Sequence, residues 1–250
     1  MDNSHRRSNH SDVTAALKPL ALAATGMTGA DIERLLREAR QKARRERRAL
    51  GYEDVHKALT SGQRDMPTDL RRRIAVHEAG HALVWTIFDI GIVKTVTIGH
   101  SSGGLVQTEI RPGLIKDEQW INQLIAIALA GQAAEKVVFG SATAGSGGHE
   151  QSDLARATTL ATDAETSLGF GKVHPLLYRP VEQNPSALSV DRDLARQVHD
   201  RLLAAEKLAH DVLSRHREAL LALATRLAEA TVLEGDEVRA VLADKMSVSR

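Results

Sequence analysis

Cysteine is absent from all 250 residues. That excludes disulfides, thiolate zinc sites and cysteine nucleophiles, so any metal must be held by histidines and carboxylates. It also fits a reducing compartment. Aromatic residues make up 3 % of the chain. With Ala, Leu and Arg plentiful, the scarcity favours a mostly helical protein. An excess of either charge is missing too. Lys and Arg number 33 against 32 Asp and Glu, which gives no reason to expect nucleic acid or acidic lipid as a partner. No apolar run approaches the roughly 18–20 residues of a membrane span. The N-terminus has no apolar leader core, and the chain as given is expected to be soluble. A phosphate loop of the form G-x-x-x-x-G-K-[ST] occurs nowhere, so no nucleotide-binding core is expected.

What is present centres on Val76-His77-Glu78-Ala79-Gly80-His81. This reads H-E-x-x-H within a segment of helical periodicity: Ile74, His77, His81, Val84 and Phe88 recur at three- and four-residue steps and share one helix face. The i, i+4 spacing sets the imidazoles of His77 and His81 side by side, close enough to share one metal ion. Glu78, one residue on, can lean over the same ion without binding it and act as general base. The plainer alternative is two partly buried histidines on an amphipathic helix. Apolar flanks suit a semi-buried metal site, and Thr68 is a candidate N-cap for the helix. Gly80 weakens a helix, and close approach of another element near the metal would account for it.

Taken in order, residues 1–15 read as a disordered tail, with His5 and His10 uninvolved in metal chemistry. Residues 16–62 form a helical segment. Thr28 is placed to cap a helix from Ala30 to Arg48, whose basic second half from Arg40 reads as a solvated face. A short element over Glu53–Leu59 follows, and Ser61-Gly62 marks a boundary before residues 63–250. Ile92 to Ile98 alternates and is β-branched, which predicts a strand. Ser101 to Gly104 is turn chemistry, and Leu105–Ile110 can return as the partner strand. A free strand edge beside such a helix can lay an extended peptide across the metal. Lys116–Phe139 reads as a long helix with Ile121, Leu124, Ile125, Ala128, Leu129 and Ala133 inward, ended by Gly140. Ser141–Gln151 is a Gly- and Ser-rich loop that delivers Ser152-Asp153 to a helix over Leu154–Ser167. There the helix dipole and free amides keep a carboxylate ionised. Lys172–Ser189, with Pro175, Pro180 and Pro185, is irregular. Asp191–Ala230 predicts two antiparallel helices, and Glu234-Gly235-Asp236 starts a last short one. No catalytic constellation falls in this final part, which reads as packing or oligomer contact.

A catalytic zinc takes three protein ligands and leaves one position open. Glu135 on the downstream helix, His149 in the glycine-rich loop and Asp153 at a helix start are all candidates for the third. Spacing alone does not separate Glu135 from Asp153.

Three motifs in order resemble the peptidase domain of the FtsH family of AAA-type, ATP-dependent zinc metalloproteases. They are His77-Glu78-Ala79-Gly80-His81, Leu129-Ala130-Gly131-Gln132-Ala133-Ala134-Glu135 with Val138-Phe139-Gly140, and Ser152-Asp153-Leu154-Ala155-Arg156-Ala157-Thr158. The stretch Glu206–Leu227, with His216-Arg217-Glu218-Ala219-Leu220, and Leu233-Glu234-Gly235 are similar as well. Thr28-Gly29-Ala30-Asp31-Ile32 and Glu38-Ala39-Arg40 resemble the end of the family's helical ATPase lid.

The resemblance implies a mostly α fold: a helical zinc-metallopeptidase domain at 63–250 with a small β-hairpin or sheet beside the H-E-x-x-H helix, preceded by a lid remnant. It implies one Zn²⁺ per chain on His77, His81 and Asp153, with Glu78 as catalytic base and Glu135 as a supporting residue. Val93, Thr95, Val96, Thr97 and Ile98 become the edge strand that binds substrate, an unfolded polypeptide. The expected reaction is hydrolysis of peptide bonds in loosely folded chains, as part of protein quality control. The family's rings are hexameric, so a homo-hexamer is expected, with no nucleic-acid partner. ATP is expected to act only through an ATPase core missing from this chain. The membrane is expected to enter only through a parent protein's anchor, with this domain in the cytoplasm. Two departures from the family stand out, the missing phosphate loop and a longer loop before Asp153 that keeps His149 a minor candidate ligand. The first favours a fragment of a longer protein. The rival readings are a catalytically silent assembly domain, a stand-alone zinc hydrolase, and a nucleic-acid module built on Arg40–Arg48.

Overall fold

The structure, a computed structural model, describes residues 27–64, 66–100, 103–180 and 187–247, together with positions 17, 20, 21, 23 and 24. The tail read at 1–15, the turn residues Ser101 and Ser102, and Pro185 lie outside the described residues. The described residues fall into two compact units, one within 1–71 and 99–105 and the other within 72–98 and 106–250.

In the first unit, helix α1 (Gly29–Arg45) begins with a capping box. The Thr28 hydroxyl accepts from the Asp31 N–H, and the Asp31 carboxylate accepts from the Thr28 N–H, which satisfies two amides that a helix start leaves unpaired. Helix α2 (Tyr52–Arg64) packs on it, with Ala39, Ala43 and Leu59 buried. It runs through Ser61 and Gly62, so the break expected there is not a helix end. The basic face of α1 is exposed. Arg34 and Arg37 pair with Glu38 and Glu33 one turn away, a solvated arrangement that adds little stability.

The second unit carries most of helix α3 (Thr68–Phe88), which bears the H-E-x-x-H sequence. This helix is not amphipathic. Ala75, Val76, Glu78, Ala79, Gly80, Ala82, Leu83, Val84 and Trp85 are buried, which covers most of its circumference. Helix α4 (Glu118–Phe139) is likewise enclosed, with Ile121, Leu124, Ile125, Ala128, Leu129 and Ala133 inward as the periodicity predicts. A helix apolar all round must sit inside its domain. Gly140 ends it in the left-handed region at φ 74° and donates back to the Lys136 carbonyl at 2.9 Å. Helices α5 (Asp153–Thr166) and, after the short α6 (Ala187–Val190), α7 (Arg192–Arg215) pack on α4 and on each other.

One expectation is corrected here. Helices α7 and α8 (Arg217–Ala230) are not an antiparallel pair, because His216 alone joins them and one residue cannot reverse the chain. Helix α8 packs instead on helix α9 (Gly235–Ser247) and on strand β3 (Val232–Glu234). The small β-element expected beside α3 is present: β1 (Gly91–His100) and β2 (Gly103–Ile110) are joined by β3 in a three-stranded sheet ordered β2-β1-β3. Strand β3 runs antiparallel to β1, pairing Thr95 with Glu234, Val96 with Leu233 and Thr97 with Val232. Strand β1 is therefore central. Val96, Thr97 and Ile98 are all fully buried, as a strand covered on both faces requires.

One buried ion pair ties α7 to the rest. Arg201, 8 % exposed, donates from Nε to Glu165 at 2.7 Å and from its Nη atoms to Glu118, Asn122 and the Phe170 carbonyl. Four of the guanidinium's five N–H donors are thus answered. Replacing it by Met would strand the Glu165 carboxylate, itself 3 % exposed. Arg201→Met is expected to destabilise the domain by about 3–5 kcal/mol in denaturant unfolding. A loss of less than about 1 kcal/mol, the range of an exposed pair, would contradict the assignment.

Candidate metal centre

Helix α3 crosses α4 where both chains narrow. A Cβ on Gly80 would lie 2.5 Å from the Ala134 Cβ and 2.7 Å from the Ala130 carbonyl oxygen. The helix-weakening glycine thus does admit a second element. Gly131 is the reciprocal case, since a Cβ there would meet the Nε2 atoms of His77 at 2.3 Å and His81 at 2.5 Å. The two imidazoles rest on bare backbone.

The rings converge with one carboxylate. Asp153 Oδ2 lies 3.0 Å from His77 Nε2 and 3.2 Å from His81 Nε2, and the two Nε2 atoms are 3.2 Å apart. Among the described residues this is the one His, Asp and Glu cluster with a metal-holding arrangement. Asp153 arrives as the first residue of α5, behind the N-cap Ser152, whose hydroxyl accepts from the Ala155 N–H.

The opposite ring nitrogens fix the tautomers. His81 Nδ1–H donates to the Ile127 carbonyl at 2.7 Å, and His77 Nδ1–H donates to Glu135 Oε1 at 2.9 Å. A carbonyl can only accept, so the neutral His81 ring leaves its Nε2 lone pair bare, and the Glu135 carboxylate does the same for His77. Two bare nitrogens and an anionic oxygen in one small volume repel unless a positive centre sits among them. Zinc bonds of about 2.0–2.1 Å at tetrahedral angles place neighbouring donors roughly 3.3 Å apart, close to the spacings found here. The donor set, two imidazoles and a carboxylate, fits Zn²⁺.

Electrostatics point the same way. Burial, the largest influence on His77, disfavours its charged form, but Asp153, Glu135 and Glu78 outweigh it and push its pKa up to about 10. In the metal-free chain a proton takes the place of the cation. Burial likewise works against the Asp153 carboxylate, but the His77 and His81 rings beside it hold its pKa well below the usual range. Glu78 is buried and is not one of the converging donors. Burial pushes its pKa up, against the pull of His81 and His77, a setting that suits a general base.

Glu135 stands behind His77, away from the converging atoms. His149 is exposed and its Nδ1 accepts from the Gln151 N–H. The expected substrate edge is corrected. Val93, Val96, Thr97 and Ile98 are buried, and Thr95 to Thr97 are already paired with β3, so no free edge remains there. Sequence reasoning gave no role to Gly131, the Ile127 carbonyl, Thr143 or Arg73. Gly131 had a signal, a glycine in the interior of a long apolar helix; the others had none.

A helix carrying His-Glu-x-x-His, closed by a carboxylate from another helix, defines a zinc-metallopeptidase type of site. The chain belongs to peptidase family M41, whose model matches residues 64–241. Its relatives include an ATP-dependent zinc metalloprotease FtsH 2 of Symbiobacterium thermophilum, 29 % identical over 95 % of this chain and 43 % of that protein. An ATP-dependent zinc metalloprotease FtsH of Methylococcus capsulatus is 32 % identical over 92 % of this chain and 40 % of its own length. An FtsH 2 of Sphaerobacter thermophilus is 32 % identical over 90 % and 36 % respectively. The chain thus spans about two fifths of the length of these relatives.

Gly131→Ala would drive a methyl group into both rings. Zinc affinity, measured by competition with a chromogenic chelator, is expected to fall about 10–100-fold, with the far-UV circular dichroism kept. Unchanged affinity would contradict the close contact between Gly131 and the imidazoles.

Proposed function

We propose that this chain is the zinc-dependent endopeptidase part of an ATP-dependent, FtsH-like protease, hydrolysing peptide bonds of unfolded or loosely folded polypeptides. The observation that carries the reading is the convergence of His77, His81 and Asp153 with Glu78 buried beside them. Family membership and the zinc metalloprotease relatives support it.

His77, His81 and Asp153 would hold the ion. Bound there, zinc would polarise the scissile carbonyl and acidify the attacking water. Glu78 accepts the proton of that water and passes it to the leaving amine, a transfer favoured by its raised pKa. Glu135 and the Ile127 carbonyl keep both rings in the tautomer that presents Nε2. A peptide adding as an extra strand has β2 open to it, whose residues 107–110 are exposed.

Residues 16–62 fit the end of an ATPase lid and 63–250 the peptidase domain. The given sequence has no phosphate loop, and ATP is assigned to an ATPase core that lies outside it. By the same resemblance, six copies form a ring in the cytoplasm and a membrane anchor belongs to the parent protein. Among the described residues no helix is long and apolar enough to cross a membrane.

Two outcomes follow. Glu78→Gln is expected to keep zinc and lose casein hydrolysis by about 10²–10⁴-fold; cleavage at the unchanged rate would remove Glu78 from the reaction. The second concerns protons. The folded-state pKa of His77 lies above its ordinary value of 6.5, so its proton stabilises the metal-free fold fully below 6.5 and is lost as pH rises through about 10. At pH 7.5 zinc must displace it. Titration calorimetry in buffers of different ionisation enthalpy is expected to show about one proton released per zinc, with affinity falling on acidification. A buffer-independent enthalpy would contradict this.

A further inference from the structure

Glu135 is 2 % exposed, and its carboxylate receives donors from two separate segments, helix α3 and the loop after α4. His77 Nδ1–H comes from α3 at 2.9 Å. Thr143 comes from the loop after α4, its N–H at 2.9 Å from Oε2 and its hydroxyl at 3.2 Å from Oε1. Arg73, one helical turn before His77, donates from Nη1 at 3.3 Å. A carboxylate has about four acceptor directions, and four donors use them.

The loop is the informative partner. It leaves α4 at Gly140 and ends at Ser152, where Asp153 begins α5. Its start is fastened twice, by Thr143 on Glu135 and by Arg73 Nη1 on the Ser141 carbonyl at 3.3 Å. The Arg73 guanidinium is itself seated over the Phe139 ring at 4.5 Å. Its far end is fastened by the Ser152 N–H on the His149 carbonyl and by the Ser152 cap. One carboxylate thus orients the first histidine and anchors the loop that delivers the third donor.

We propose that Thr143 is a positioning residue for the zinc site, holding the loop that carries Asp153 to the same carboxylate that orients His77. The inference rests on the zinc-site reading above and adds a residue to it. Thr143 is exposed, so its side chain can be changed without opening the core. Thr143→Val removes only the hydroxyl, Thr143→Ser keeps it, and Thr143→Pro removes the N–H as well.

The test is zinc affinity of the full chain, by chelator competition, alongside unfolding midpoints of the metal-free and zinc-loaded protein. Thr143→Val is expected to weaken zinc about tenfold, the low end for partners that orient ligands. Thr143→Pro should weaken it further, and Thr143→Ser should stay within about twofold of the unchanged chain. A positioning role lowers the zinc-loaded midpoint more than the metal-free one, whereas a purely structural role lowers both equally and leaves affinity alone. Val and Pro variants that bind zinc within twofold of the unchanged chain, while His77→Ala has lost it, would overturn the proposal alone. Full zinc binding by His77→Ala would overturn the site reading and this proposal together.

Discussion

Two imidazole nitrogens and one carboxylate oxygen are forced into contact distance, and the surrounding structure serves that unfavourable arrangement. Left empty, the cluster must take up a proton, which is why the His77 pKa climbs to about 10 despite burial. Filled by a divalent cation, the same repulsion becomes ligation. The stability of this part of the fold and its capacity to bind metal are linked, because whatever occupies the centre offsets the cost of bringing the three donors together.

Helix α4 is the platform on which this depends. Gly131 lets both rings approach backbone, Ile127 supplies the carbonyl that sets the His81 tautomer, and Glu135 sets that of His77. These three positions lie at four-residue intervals on one face of the helix, the face turned to α3. Because α4 is buried all round, packed on α5 and α7, it cannot shift to accommodate a misplaced histidine. Rigidity in that helix becomes precision at the metal.

Much of this was legible in the sequence. The i, i+4 histidines, the buried stripe of α4, the Gly140 stop and the Thr28 cap are local signals, and local geometry alone decides them. The reason for Gly80 was legible too, as a close approach, although the approaching residues Ala130 and Ala134 were not. The third donor is different. Glu135, His149 and Asp153 all lie downstream at distances that spacing does not rank, and only the family likeness favoured one. The third strand escaped for a related reason. Strand β3 is Val232-Leu233-Glu234, too short to show a period and lodged between helices, and it is a strand only because β1 pairs with it. Missing it turned a central strand into an apparent free edge. The role of Thr143 was invisible, since nothing marks a threonine in a loop of small residues as the partner of a carboxylate on the preceding helix.

The measurement that bears most directly on the account is zinc-edge X-ray absorption of the full chain loaded with one equivalent of metal, compared with Asp153→Ala. The account predicts two imidazole nitrogens at about 2.0–2.1 Å and oxygen donors at about 2.0–2.2 Å in the unchanged chain, with a changed coordination shell in the variant. A coordination shell identical in the two proteins would contradict it, because Asp153 would then take no part in holding the ion.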